Sequence, residues 1–291
     1  AQTIKSATVK SDGLLLVTAA IWGFAFVAQR VGMDHVGPFT YNGVRFALGA
    51  LTLAPLLLMR TRSSDAIPVP MTRRGFVFGG GALGVVLFAA ASLQQVALLY
   101  TTAGKAGFIT GLYVVVVPIL GLFWGQRPSA GTWAGAGLAA AGLYLLSVTA
   151  SFRMEYGDGL VLVSALFWSL QVLLVAWLSP RTRPVGLAFY QFSVCAVLSL
   201  MTAVLFESFE WAGLVAAAGP IFYGGVLSVG VAYTLQVVAQ RDAHPAHASI
   251  LMSLEAVFAA FGGWMLLGET LSLRGLAGCG TMLAGMMLSQ L

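Results

Sequence analysis

The sequence predicts an all-α integral membrane protein, with ten transmembrane helices arranged as two inverted five-helix repeats around a central cavity. Three observations support this fold class: the composition, the apolar runs and an internal repeat. The chain has 291 residues, of which 59% are hydrophobic and 9% charged, and its mean hydropathy is +0.90. Soluble domains carry about 45–50% apolar and about 25% charged residues. The composition therefore argues against a soluble enzyme, a disordered chain and a nucleic-acid-binding domain.

Apolar runs of transmembrane length recur along the chain. A helix needs about 17–25 apolar residues to cross the hydrocarbon core of a bilayer. Charged and turn residues divide the sequence into ten such runs, at about 12–32, 38–59, 75–99, 102–125, 130–150, 157–179, 184–206, 212–238, 245–267 and 272–290. The longest polar stretch, 60–74, leaves no room for a soluble domain between them. We therefore expect one ten-helix unit preceded by a short tail, residues 1–11.

The basic residues lie mainly on one side of the predicted membrane. Ten Lys and Arg fall on the side that carries both termini and four on the other, with Arg45 inside the second span. Cytoplasmic loops of membrane proteins carry the excess of Lys and Arg. We therefore expect cytoplasmic termini in a bacterial-type inner membrane. The formal charge of +5 is then a topology signal, and no nucleic-acid partner is predicted.

The two halves of the chain resemble each other. Residues 12–22 (DGLLLVTAAIW) recur 146 residues later as 158–168 (DGLVLVSALFW), and small residues of 125–142 recur 143 residues later. Each half holds five predicted spans, and because five is odd the halves must cross the membrane in opposite senses. Repeats of this kind are common in secondary transporters, whose substrate site lies between the halves near the bilayer midplane. They predict two domains, 12–151 and 157–291. Channels also contain inverted repeats, so a channel or facilitator stays as an alternative.

The ninth predicted span carries the motifs of a known family. Residues 246–260 (AHASILMSLEAVFAA) are followed by 267–270 (LGET), and with the ten spans they resemble the EamA-type proteins of the drug/metabolite transporter superfamily. Among these, the chain is most similar to bacterial aromatic amino-acid exporters. The resemblance implies a gradient-linked exporter of small metabolites, with amphiphilic cations as alternative substrates. Ala256 replaces a frequent Pro and Gln126 a frequent Glu, which leaves the coupling residue open.

Glu255 is the only acidic residue near the middle of a predicted span. Burying a charged side chain at the centre of the bilayer costs roughly 2.5–3.5 kcal/mol on insertion scales. Such residues commonly serve a function, here as the partner of a substrate amine or as a titrating coupling site. The alternative is a structural tie between helices.

Other candidate cavity residues are polar or aromatic side chains inside the spans, several of them at matching positions in the two halves. Buried amides supply donor and acceptor together, and indole rings supply apolar faces for an aromatic solute. Interhelical packing is the alternative role. With Glu255, the predicted substrate-binding set is Trp22, Tyr41, Gln94, Tyr113, Trp168, Gln171, Tyr190 and Gln236.

Two cations were assigned to structure or charge pairing. Arg45 could bind a substrate carboxylate in a bidentate pair, but snorkelling to the interface or tying helices together is the favoured reading, and Lys105 is interpreted in the same way. No nucleophile–base pair or metal ligand set is placed for catalysis, and Cys195 and Cys279 stand alone. We therefore expect no enzyme, metal or cofactor. The expected partners are a small-molecule substrate, the lipid bilayer and protons as coupling ion, with a monomer favoured over a homodimer.

Overall fold

The computed structural model describes residues 2–58, 71–101, 103–147, 155–267 and 272–289, with the side chains of 2–8, 103–105, 147, 263 and 267 left aside. Regular structure in these ranges is helical. The α-helices are α1 (Gln2–Gly32), α2 (Pro38–Leu58), α3 (Arg73–Ala97), α4 (Ala103–Gly111), α5 (Tyr113–Phe123), α6 (Ala130–Ser147), α7 (Tyr156–Leu178), α8 (Pro184–Phe206), α9 (Trp211–Ala216), α10 (Ala218–Phe222), α11 (Thr234–Ala239), α12 (Pro245–Ser253), α13 (Glu255–Leu267) and α14 (Leu273–Leu288). A 3-10 turn, Ser179–Arg181, follows α7, and a π-helix, Tyr223–Tyr233, joins α10 to α11.

Eight helical segments in the described ranges are long and apolar enough to cross a membrane. The predicted fifth and tenth spans correspond to Ala130–Leu146 and Leu273–Leu288, which are apolar but shorter than 18 residues. An all-α membrane protein is therefore confirmed, whereas ten spans stay a prediction. Large apolar side chains cover the outside of the bundle, as a lipid environment requires, among them Phe78, Phe123, Val204 and Phe206.

The predicted fourth and ninth spans are each interrupted at one residue. α4 and α5 meet at Leu112, and α12 and α13 meet at Leu254. At both points the backbone uses tighter i→i+3 hydrogen bonds, from Val115 N to Leu112 O (3.0 Å) and from Val257 N to Leu254 O (2.9 Å). Short 3-10 stretches inside a helix often mark a hinge. The predicted eighth span is also divided, because the π-helix occupies its middle.

Helices of the two halves pack against each other in matching ways. α1 lies against the π-helix, α11, α12 and α13, while α7 lies against α3, α4 and α5. α2 packs on α8, and α6 packs on α14. The largest buried cluster centres on Phe46, Phe192 and Tyr233, where α2, α8 and the π-helix meet. This core supports one side of the cavity described below.

The α6–α14 contact is made by glycines. A Cβ on Gly142 would lie 2.6 Å from the carbonyl oxygen of Gly278, and one on Gly135 would lie 2.6 Å from that of Gly285. Small residues let membrane helices approach to backbone contact. The four glycines are spaced alike in sequence, since each of the first two recurs 143 residues later.

Replacing Gly142 with Leu should destabilise the protein. The added side chain would collide with backbone in α14, and overpacking of this kind costs about 1–3 kcal/mol. Thermal unfolding in detergent should show a lower Tm. Gly137→Leu, on the same helix but with no atom within 4 Å of its Cβ position, is the matched control and should leave Tm near that of the parent. Equal losses in both variants would contradict the contact.

Candidate functional site

A small cavity lies between the helices that the two halves contribute. Its volume is about 40 Å³, which is room for about three water molecules. α1 and α7 line it with side chains at matching positions, Trp22 and Ala25 on α1 and Trp168 and Gln171 on α7. The other lining residues are Phe26, Gln29, Arg45, Gln94, Thr110, Tyr113, Val172, Ser228, Tyr233, Gln236, Met252 and Glu255.

The two interrupted helices bring Tyr113 and Glu255 together at the cavity. Each is the first residue after an interruption, and the two positions are 142 residues apart, within the range of the sequence repeat. The Tyr113 hydroxyl lies beside the Glu255 carboxyl, although neither the hydroxyl nor Glu255 Oε1 makes a hydrogen bond of good geometry to a described residue. Glu255 is 4% exposed. A carboxyl buried this deeply therefore has room for a further partner.

Arg45 contributes a charge of opposite sign to the same cavity. It is 2% exposed and lines the cavity from α2. Its guanidinium carbon lies 5.4 Å from the ring centroid of Tyr41 and 5.0 Å from that of Phe46. These cation–π contacts stabilise a buried cation by about 0.5–2 kcal/mol, and Nε has no hydrogen-bond partner among the described residues. Arg45 therefore faces the interior of the bundle and does not snorkel to the membrane surface.

Amide side chains form a second layer of polar contacts. Gln236 Nε2 donates to Gln171 Oε1 (3.0 Å), and Gln171 Nε2 donates to Gln236 Oε1 (3.3 Å). Gln94 Nε2 donates to the hydroxyl of Thr110 (3.0 Å). These bonds join α7 to α11 and α3 to α4. The amides that are matched in sequence, Gln94 and Gln236, thus each bond to a different helix while lining one cavity.

Aromatic rings form one wall. Tyr233 lies between the two matched indoles, with its ring centroid 4.5 Å from that of Trp22 and 6.0 Å from that of Trp168, to which it is stacked. Trp22 Nε1 donates to the carbonyl of Ser228 (3.2 Å), a residue of the π-helix. Trp168 Nε1 has no acceptor among the described residues. The wall can therefore offer both an apolar face and a free N–H donor.

Seven of the predicted binding residues line this cavity and two lie elsewhere. The seven are Trp22, Gln94, Tyr113, Trp168, Gln171, Gln236 and Glu255. Tyr41 is fully buried beneath Arg45 and donates its hydroxyl to the carbonyl of Pro220 (3.1 Å). Tyr190 stacks on Phe76 with centroids 5.5 Å apart and covers Gly80. The side chain of Lys105 and residues 268–270 of the LGET motif lie outside the described part.

Several lining residues were not singled out in the sequence. Gln29 and Phe26 lie seven and four positions after Trp22, so the helical period places them on the same face of α1. That signal was available. Ser228 and Tyr233 reach the cavity through the π-helix, whose period differs from that of an α-helix, so no α-helical pattern would have selected them.

The cavity concentrates buried polar atoms without partners. Five lining side chains have one such atom each: Gln29 Oε1, Arg45 Nε, Tyr113 Oη, Trp168 Nε1 and Glu255 Oε1. Leaving a buried donor or acceptor unsatisfied costs about 1–3 kcal/mol. A group of them around one space indicates that the space binds something polar.

Comparisons with known proteins agree on a transporter family. The sequence profile of the EamA-like transporter family matches residues 9–148 and 155–291. An uncharacterized transporter of Archaeoglobus fulgidus is 32% identical over 89% of this chain and 79% of its own. The uncharacterized inner membrane transporter YedA of Escherichia coli K12 is 25% identical over 89% and 84%. One crystal structure superposes with a TM-score of 0.80 at 19% identity and covers 98% of both chains, which shows a shared fold. The family and relatives indicate a multi-span membrane transporter, not an enzyme.

Proposed function

Because the chain belongs to the EamA-like transporter family, we propose that it is a secondary active transporter that exports aromatic or hydrophobic amino acids by alternating access. The proposal includes ten spans in two inverted repeats, 12–151 and 157–291, and cytoplasmic termini in an inner membrane. Protons are the proposed coupling ion and a monomer the proposed unit. The match of one family profile to both halves supports the repeat.

The observation that carries the substrate class is the balance of charge in the cavity. Arg45 and Glu255 line the same space and neither forms an ion pair with a described residue. A free α-amino acid carries one carboxylate and one ammonium, and it would neutralise both. A guanidinium holds a carboxylate with two parallel hydrogen bonds, and the Glu255 carboxyl accepts from an ammonium. The indoles and Tyr233 would then contact the side chain of the substrate.

The small volume of the cavity supports a transport cycle over an open pore. A space of about 40 Å³ cannot hold an amino acid in addition to the side chains that line it. The halves must therefore separate for substrate to enter. The interruptions at Leu112 and Leu254 supply hinges at matching positions, and discontinuous helices at the substrate site are common in secondary transporters.

An exporter of amphiphilic cations is the second candidate. It is favoured by the unpartnered carboxyl of Glu255 beside an aromatic wall, since cations are attracted to both. Arg45 argues against it, because a cation without a carboxylate would enter a space that already contains a guanidinium.

Counterflow in proteoliposomes tests the proposal with three ligands of one shape. We expect phenylalanine to be exchanged, and phenethylamine and 3-phenylpropionate, which each lack one charged group, to be exchanged about tenfold or more slowly, since a charge-assisted bond contributes about 1.5–3 kcal/mol. Preferential exchange of phenethylamine would favour the cation exporter. Flux without saturation or counterflow would favour a channel.

A further inference from the structure

A hydrogen-bonded cluster joins three helices on the face where α1 begins. His247, on α12, places Nε2 2.9 Å from Asp12 Oδ1 on α1 and Nδ1 3.1 Å from the hydroxyl of Ser289, at the end of α14. The side chains of His247 and Asp12 are only 13% and 14% exposed. We call this cluster the Asp12 contact. It lies away from the central cavity, and the proposed substrate site does not use it.

The hydrogen bonds of this cluster favour a protonated imidazole. The Ser289 hydroxyl donates to the carbonyl of Met286 (2.7 Å), so its oxygen is left to accept a proton from Nδ1 of His247. Asp12, as a carboxylate, accepts from Nε2. Only the imidazolium has a proton on both ring nitrogens. A neutral His247 must give up one donor, so the cluster is weaker without the added proton.

A second contact occupies the matching positions in the other half. Asp158 lies 146 residues after Asp12, and Thr101 lies 146 residues before His247. The Thr101 hydroxyl donates to Asp158 Oδ1, and we call this pair the Asp158 contact. It ties the start of α7 to the turn that precedes α4. The chemistry differs in one respect, because a threonine hydroxyl does not titrate where an imidazole does.

The two contacts lie on opposite faces of the bundle. The Asp158 contact is next to the end of α3, since a Cβ on Gly157 would lie 2.9 Å from the carbonyl oxygen of Ala97. The end of α3 is in turn beside the end of α1, where Arg30 Nη1 donates to Leu98 O (3.4 Å). The Asp12 contact is near the start of α1. The length of α1 therefore separates them.

Each contact joins two of the segments that line the cavity. α1 and α12–α13 supply Trp22 and Glu255, and the Asp12 contact holds them together on one face. α7 and α4–α5 supply Trp168 and Tyr113, and the Asp158 contact holds them on the other. Both contacts are formed in the structure, in which the cavity is small. Separating either pair of segments would open the cavity to one side only.

We propose that the Asp12 and Asp158 contacts close the two ends of the cavity, and that a proton on His247 holds the α1-start end shut. The proposal rests on the alternating access proposed above. It makes closure of this end, which the topology prediction places in the cytoplasm, stronger at low pH. Closure of the other end does not depend on a titrating side chain of its contact.

The titratable groups around His247 leave it as the group that changes charge. Burial, and then the neighbouring His247, lower the pKa of His244, so His244 stays neutral near pH 7. On α1 the exposed Lys10 keeps its charge throughout this range. The remaining such groups with described side chains on helices packed against α12 lie toward the middle or the other end of those helices: Arg30, Tyr113, Tyr144, Tyr156, Asp158, Arg274 and Cys279.

Accessibility of a cavity position tests the proposal. Ala25→Cys is placed in a Cys279→Ser background, and labelling by a membrane-impermeant maleimide is measured from each face at pH 5.5 and pH 8, relative to the fully unfolded protein at the same pH. From the α1-start face we expect about tenfold slower labelling at pH 5.5, corresponding to roughly 1.4 kcal/mol of closure. Adding His247→Gln should give fast labelling at both pH values. Thr101→Val, the matched change at the other contact, should accelerate labelling from the opposite face without a pH effect.

The outcomes separate this proposal from the transport function. A pH effect that persists in His247→Gln, or Thr101→Val acting on the same face as His247→Gln, would overturn the role of the contacts while phenylalanine counterflow stands. Labelling from one face alone in every variant, together with absent counterflow, would overturn alternating access and with it this inference.

Discussion

Glu255→Gln is expected to reduce phenylalanine counterflow by roughly 10- to 150-fold while the yield of folded protein stays close to that of the parent. The amide keeps the shape of the carboxyl but removes its charge, so the substrate ammonium loses a charge-assisted hydrogen bond that contributes about 1.5–3 kcal/mol. Folding should be spared, because the neutral amide is cheaper to bury than a carboxylate. Counterflow in proteoliposomes and size-exclusion profiles in detergent measure the two quantities.

Glu210→Gln supplies the control for this variant. Glu210 is exposed, precedes α9 and does not line the central cavity, so its loss of charge should leave counterflow unchanged. Equal activity of Glu255→Gln and the parent across pH 5–8 would remove Glu255 both from amine binding and from proton coupling.

Arg45→Gln is expected to have an effect of similar size through the other end of the substrate. The guanidinium is the only described cation that lines the central cavity, and without it a substrate carboxylate would be buried unpaired, at a cost of several kcal/mol. Uptake of phenylalanine should fall by about a hundredfold or more. Exchange of phenethylamine, which has no carboxylate, should fall less or rise.

Two further variants make the Arg45 result specific. Arg45→Lys keeps the charge but lacks the planar fork that binds both carboxylate oxygens, so it should recover part of the activity. Arg30→Gln removes an exposed cation at the end of α1 and should leave exchange near that of the parent. If Arg45→Gln lowered phenylalanine and phenethylamine exchange alike, the guanidinium would serve the structure of the site and not the carboxylate.

The helices were largely predictable from the sequence because apolar runs and their polar boundaries reflect the thickness of the bilayer. The interruptions were not. Leu112 and Leu254 are ordinary helix formers in apolar runs, so nothing in local propensity marks them. The π-helix was equally hidden, because its extra residue per turn is stabilised by packing on α2, where Gly225 and Gly230 meet Leu48 and Thr52.

The candidate site was predictable where the two halves repeat each other. Trp22, Trp168, Gln94 and Gln236 are matched in sequence, and all four line the cavity. Tyr190 was selected by the same matching but packs outside it. Spacing on one helix cannot tell which neighbour a face meets, and depth along a span does not reveal whether a cation such as Arg45 turns inward or toward water. Those distinctions come from helix–helix packing.

The glycine contact between α6 and α14 has a consequence for the origin of the molecule. Gly135 meets Gly285 and Gly142 meets Gly278, so the two helices exchange equivalent contacts, as identical subunits do about a dyad. Such an interface depends on surface shape alone and not on a peptide bond between its partners. It is therefore the kind of joint by which an ancestral single-repeat chain could have paired with an oppositely inserted copy of itself before the two genes were fused.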